Sequence, residues 1–184
     1  MVGLWGASKI GSQSNFDLSV GAKSSTKPSA SVSASAPVAG PQPLAILSAD
    51  GFDPLGDKRE NNALAPKVFD GDPGSVWTSE GYRTPDLGGL KTGVGVIVDL
   101  GPNVAPKQVD LTLGAPADVE VYLAPDRSLD NAVKIGEQAD ANGTISMQVP
   151  EDAAGRQYVI VWFTKLTQVD GSYRAVLGEV SVLG

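Results

Sequence analysis

The dominant hydrophobic pattern in this chain is alternation with a period of two. Residues 93–101 read Gly-Val-Gly-Val-Ile-Val-Asp-Leu-Gly, which puts Val94, Val96, Val98 and Leu100 on one face and the small or polar Gly95 and Asp99 on the other. Residues 118–123 repeat it: Val119, Val121 and Leu123 alternate with Asp118, Glu120 and Tyr122, predicting a strand with one buried and one wet face. Further strands are predicted over 44–47, 108–113, 132–135, 144–149, 157–166 and 173–183. Residues 158–163 are apolar on both faces and predict a central strand covered on both sides. Asn142-Gly143 and Asp170-Gly171 are hairpin signals, because both turn positions need positive φ. No segment sustains a helical repeat. About eight short strands, spaced about ten residues apart, specify an antiparallel β-sandwich or jelly roll.

Turn chemistry and core chemistry meet in residues 68–79. Asp70-Gly71-Asp72-Pro73-Gly74 forces a sharp bend, since glycine permits positive φ, proline fixes its own φ and aspartate bonds its own backbone. Trp77 follows, and a side chain of that size predicts a core anchor beneath the acidic loop. Residues 50–57 read as a loop dense in Gly, Pro and Asp, continued by a charged surface stretch over 57–62. A second long loop, 80–92, carries Tyr82, Arg83, Asp86 and Lys91.

The first quarter differs in composition. Residues 1–22 carry no sustained period and form a membrane-proximal segment; residues 23–43 are Ser, Ala and Pro with little else, a disordered linker; residues 44–184 form the folded domain. Trp5 followed by Lys9 resembles the interfacial end of a membrane span, predicting that the chain follows a membrane helix of a larger protein. The opening apolar run is itself too short to span a bilayer and lacks the basic start of a signal peptide. Lys9, Lys23 and Lys27 make the first 43 residues +2, leaving −9 on the rest of a chain whose net charge is −7. That acidity argues against nucleic-acid binding. The chain has neither cysteine nor histidine, which removes disulfides, thiolate nucleophiles and every His-based catalytic arrangement.

Taken together, the Val68-Phe69-Asp70-Gly71-Asp72 and Ser75-Val76-Trp77-Thr78-Ser79 runs, the strand ending Val98-Asp99-Leu100-Gly101, the 118–122 strand and the closing Ala175-Val176-Leu177-Gly178-Glu179-Val180 resemble the discoidin or F5/8 type C family of galactose-binding-like jelly rolls. With residues 90–95 added, the pattern looks like the extracytoplasmic C-terminal domains of actinobacterial membrane proteins, of the MviN/MurJ-type lipid II flippase fused to a pseudokinase-like region. The resemblance implies a location outside the cytoplasm, and binding rather than catalysis. It also implies a structural calcium held by Asp70, Asp72, Ser75 and Glu179, hard oxygens of the kind calcium selects. The plainer reading keeps Asp70 as a turn cap and Glu179 in solvent.

Ligand recognition in such jelly rolls falls to loops at one rim, where Asp53, Asp57, Arg59, Tyr82, Arg83 and Lys91 offer planar donors, carboxylates and an aromatic face. Family members that bind sugars commonly place His there, and this chain has none. The leading expectation is a module that binds a cell-wall glycan or its lipid-linked precursor. The alternative is a protein-interaction or structural module with no small ligand. A hydrolase using Asp118 and Glu120 is the third reading, disfavoured because both lie on the wet face of one strand. Trp77 and Trp162, set among apolar neighbours, read as core.

Overall fold

In a computed structural model of the chain, residues 40–184 are described. The membrane-proximal segment, Trp5 and Lys9, and the linker up to residue 39 lie outside the described residues. At the linker's end, Gln42 exchanges backbone hydrogen bonds with Gly184 (3.0 and 2.8 Å), and Leu44 N–H donates to Val182. Pairing with the last strand thus begins ahead of residue 44.

Nine strands are present among the described residues: β1 (Ser48–Phe52), β2 (Trp77–Thr78), β3 (Val94–Asp99), β4 (Gln108–Ala124), β5 (Val133–Gln148), β6 (Tyr158–Lys165), β7 (Thr167–Val169), β8 (Ser172–Arg174) and β9 (Val176–Leu183). Hydrogen bonds link seven of them in the order β1-β3-β6-β4-β9-β2, all antiparallel, with β5 also on β4, while β7 and β8 pair with each other in a separate two-stranded sheet. The long β4 and β5 fold this sheet into two layers. The first half of β4 pairs with β9 and its second half with β6, while β5 accompanies both halves. Val109, Leu111 and Leu113 of the first half and Val119, Val121 and Leu123 of the second are all buried in one core, with Val94, Val96 and Val98 of β3, Val159, Val161 and Phe163 of β6, and Leu177, Val180 and Val182 of β9. The architecture is the antiparallel sandwich that the alternating valines specify.

Several elements depart from the sequence pattern for identifiable reasons. The strands expected at 108–113 and 118–123 are one strand bent at residues 114–117, where the register shifts. Gly114 permits the bend: a Cβ there would stand 2.6 Å from Val176 Cγ1. Likewise 132–135 and 144–149 belong to the single strand β5. Asn142-Gly143 therefore forms no hairpin; Gly143, at φ 65°, faces Leu113 and bends β5, and the chain reverses at 125–132 instead. Asp170 (φ 50°) and Gly171 (φ 80°) do form the two-residue turn of the β7–β8 hairpin. The first strand is not 44–47 but Ser48–Phe52, so Asp50-Gly51 lies within β1. Gly51 is there for close approach, since a Cβ would lie 2.1 Å from the Glu60 carbonyl oxygen. The 173–183 region is split at Ala175 into β8 and β9.

β6 sits between β3 and β4, buried on both faces as its sequence predicts. Trp77 is fully buried, stacks on Phe163 at 6.1 Å and donates its indole N–H to the Glu60 carbonyl at 2.9 Å. Trp162 is buried too, on the opposite face of β6. Between Trp77 and the rim runs a 3-10 segment, Asn62–Phe69, which buries Ala65 and Val68. Replacing Trp77 by Ala removes the stacked ring and orphans the Glu60 carbonyl. We expect a loss of about 3–5 kcal/mol of unfolding free energy, read as a lower urea midpoint with an unchanged slope.

Candidate functional site

β1 ends at Phe52, β3 begins at Val94 and β6 ends at Lys165, and the pairings Phe52–Gly95 and Val94–Phe163 put these ends at one rim. The loops 53–61 and 79–93 and the β7–β8 hairpin meet there. They are joined by a buried polar network around Glu60, which has no exposed surface. The Glu80 backbone N–H donates to Glu60 Oε1 at 2.5 Å, and the Tyr82 hydroxyl donates to Glu60 Oε2 at 3.0 Å. Lys91 Nζ donates to Asp53 Oδ2 at 2.7 Å and to Tyr82 Oη at 3.1 Å, and stands 3.7 Å from Glu60 Oε2. The β7–β8 hairpin is tied in by backbone bonds between Tyr82 and Tyr173, and by Arg174 Nη1, which donates to the Ser79 carbonyl at 2.7 Å.

These positions correct part of the sequence reading. Residues 57–62 are not a uniformly charged surface, because Glu60 points inward. Asp53 is buried (2% exposed) and Tyr82 and Lys91 are half-buried; Lys91 bonds both Asp53 and Tyr82. Burial pushes the Glu60 carboxyl above its ordinary range, only partly offset by the bonds from Glu80 and Tyr82 and the charge of Lys91. Burial also raises the Tyr82 phenol. On Lys91 burial acts downward, but the bonds to Asp53 and Tyr82 outweigh it and hold the ammonium above its usual value.

Arg59 does reach the surface, lining a groove of ≈ 480 Å³ with Asn61, Asn62, Ala63 and Glu80. Asp57 is exposed beside it and accepts the Arg59 backbone N–H at 2.9 Å, and Arg83 is exposed on the neighbouring loop. Asn61 adopts φ 51° and donates its Nδ2 to the Thr78 carbonyl at 2.8 Å, so this groove wall is fixed to β2. Sequence reasoning missed Glu60, Asn61 and Glu80. Glu60 lies 22 residues from Tyr82, and no periodicity links such positions.

The acidic turn packs on β9. Asp70 accepts the Asp72 N–H and Asp72 accepts the Gly74 N–H, each at 2.9 Å. Ser75 N–H donates to the Asp72 carbonyl at 2.9 Å. Gly178 lets the loop close onto the strand, since a Cβ there would be 2.6 Å from the Pro73 carbonyl oxygen. Glu179 is not free in solvent. Its Oε2 is buried without a hydrogen-bond partner, and its pKa is raised by burial first and then by the charges of Asp70 and Asp72, against a lowering bond from Gly71 N–H. The turn and the last strand thus bring three carboxylates into electrostatic reach. They do not form a closed carboxylate cage, and no such cluster occurs among the described residues.

Of the two carboxylates weighed for hydrolysis, Asp118 accepts the Asp140 backbone N–H at 2.8 Å. Glu120 is bonded to Lys134 at 2.8 Å and to the Tyr122 hydroxyl at 2.5 Å. Although burial acts upward on Glu120, these bonds hold it below the usual carboxylate range, while Tyr122 is pushed up to about 12 by burial and by Glu120.

The raised Glu60 pKa fixes the sign of a pH effect. Stability tied to protonated Glu60 is fully present below the unfolded value of 4.5 and is lost as pH rises through the higher folded value. Glu60→Gln removes this dependence. The unfolding free energy of the variant should therefore rise relative to wild type from pH 4.5 upward, measured by denaturant titration at stepped pH; a constant difference contradicts the assignment.

No protein-family model matches the chain, and no curated protein matches it. Solved structures do. A CBM32 module of a family 89 glycoside hydrolase from Clostridium perfringens superposes with a TM-score of 0.51 at 13% identity, covering 73% of this chain and 90% of its own. Chitosan-binding module 1 of the chitosanase/glucanase from Paenibacillus sp. IK-5 gives 0.52 at 20% identity, with coverages of 74% and 94%. The CBM32 of AlyQ, solved with 4,5-unsaturated mannuronic acid, gives 0.50 at 14%, covering 77% and 97%. Residues 40–184 therefore carry the discoidin-like jelly roll seen in CBM32 carbohydrate-binding modules.

Proposed function

We propose that this chain is a non-catalytic carbohydrate-binding module whose glycan lies in the groove formed by Arg59, Asn61, Asn62 and Glu80. The observation that carries the reading is a polar groove on rim loops fixed from beneath by the Glu60–Tyr82–Lys91–Asp53 network, on a jelly roll shared with carbohydrate-binding modules. A guanidinium, side-chain amides and a carboxylate in one groove match the paired donors and acceptors of sugar hydroxyls. Loops ordered before the ligand arrives lower the entropic cost of binding.

The same proposal extends to location and source. The module faces outside the cytoplasm in a membrane protein of peptidoglycan biosynthesis, of the lipid II flippase type, and takes a cell-wall glycan or its lipid-linked precursor. The support for this extension is the sequence resemblance alone. A structural calcium belongs to the proposal as well, with Asp70, Asp72, Ser75 and Glu179 as its oxygen donors. The unpartnered Glu179 Oε2 and the mutual repulsion of the three carboxylates support it, because a bound cation relieves both. When bound, calcium would lock the acidic turn onto β9.

Two measurements test these readings. In the first, isotopically labelled protein is titrated with chitosan oligosaccharides and soluble muropeptides, and NMR shifts are expected at Arg59, Asn61, Asn62 and Glu80. Arg59→Ala should weaken binding by about tenfold. Silence of these signals with every glycan, alongside specific capture of a protein, moves the assignment to an interaction module. In the second, millimolar calcium should raise the melting temperature over that in chelator, by about 2.7 kcal/mol of stabilisation at a hundredfold excess over Kd. The effect should vanish in Glu179→Gln and shrink as pH falls through the raised Glu179 value, where protons compete for the same oxygens.

A further inference from the structure

The outer side of the layer containing β1, β3 and β6 carries chemistry that the rim groove leaves unused. It has its own apolar cluster of Phe52, Ile97, Ala124, Ile160 and Trp162, separate from the core between the layers, with Phe52 meeting Trp162 edge-on at 5.8 Å. Beside this cluster opens a cleft of ≈ 390 Å³ whose walls include Phe52, Asp53, Lys58 and Arg127. That volume falls within the range of about 300–1,000 Å³ typical of ligand pockets.

Its polar side chains have unspent capacity. The Arg127 guanidinium lies 5.9 Å from the Tyr158 ring centroid and donates through Nη2 to Asp50 Oδ2 at 2.7 Å. This clamp orients the planar fork while its side chain stays 46% exposed, leaving other N–H groups for a ligand. Lys58 is exposed and forms no ion pair among the described residues. Asp53 is buried, with Oδ2 held by Lys91 and Oδ1 left without a partner.

We propose that this cleft is a second binding site, for a sugar that carries a carboxylate. The guanidinium fork of Arg127 matches a carboxylate in geometry, Lys58 adds a point charge, and the Phe52 ring gives the pyranose an apolar surface. The buried Asp53 carboxylate in the cleft wall adds a negative charge that disfavours a second acid group on the ligand. A neutral hexose leaves Lys58 without an anionic partner and gives Arg127 none beyond Asp50. A polyanion is opposed by the net charge of −7, whereas a single carboxylate within about 8 Å of the two cations escapes most of that screened repulsion.

The test is an NMR titration of the full chain with D-glucuronate, D-glucose and acetate. Glucuronate is expected to shift Phe52, Lys58, Arg127 and the Trp162 indole, and glucose and acetate are expected to leave them in place. Arg127→Gln and Lys58→Asn, both at exposed positions, should each weaken glucuronate by about tenfold, and added salt should weaken it further. An equal response to glucose overturns the role of the cations, an equal response to acetate overturns the sugar, and no response to glucuronate overturns the site. Because the rim groove is reported by Arg59 and Glu80, its failure and the failure of this cleft are read from different signals.

Discussion

The rest of the structure depends on the way Glu60 is buried. Its carbonyl receives the Trp77 indole from the core side, and its carboxylate receives Glu80 N–H and the Tyr82 hydroxyl from the rim side. A carboxylate sealed from water is costly unless its oxygens are met by donors, so the rim loops can move away only by leaving that group unpaired. Core packing and rim order are thereby one constraint. The hydrophobic stack of Trp77 on Phe163 holds the peptide that holds the loops.

The 3-10 segment Asn62–Phe69 carries this constraint across the molecule. Its start adjoins Glu60 and the groove residues Asn61 and Asn62; its end adjoins the acidic turn that packs on β9. With Ala65 and Val68 buried in the same core, displacement of either end strains the other. A cation at Asp70, Asp72 and Glu179 would therefore stiffen the groove from a distance by fixing one end of a shared element, with no contact to the ligand.

The sandwich was legible because period-two alternation is a local property: β3, the second half of β4, and β6 lie where their valines place them. The bends were not, because whether Asn142-Gly143 reverses a strand or kinks it depends on the partner, here Leu113 of β4. β1 was masked by Asp50-Gly51, a turn signal whose glycine answers a steric demand from Glu60, nine residues along the chain, rather than a turn. The acidic turn is legible from its Gly, Pro and Asp, whereas its approach to Glu179 depends on long-range packing of the turn against β9. The sequence places Asp53, Asp57, Arg59, Tyr82, Arg83 and Lys91 together as rim contacts, but not Glu60, and without it the bonds among Asp53, Tyr82 and Lys91 look like a set of surface contacts.

How the titratable groups are allotted favours binding over turnover. Catalysis needs a perturbed acid or base that substrate can reach. Glu60 is perturbed, yet it is sealed beneath Tyr82 and Lys91. Glu120 faces solvent, yet Lys134 and Tyr122 hold it ionised and occupied. Among the exposed donors that line the two clefts are Arg59, Lys58 and Arg127, groups suited to recognising oxygen atoms. On the proposed reading, such a surface would select ligands by hydrogen-bond geometry, with the rim loops held in place by the bonds to Glu60.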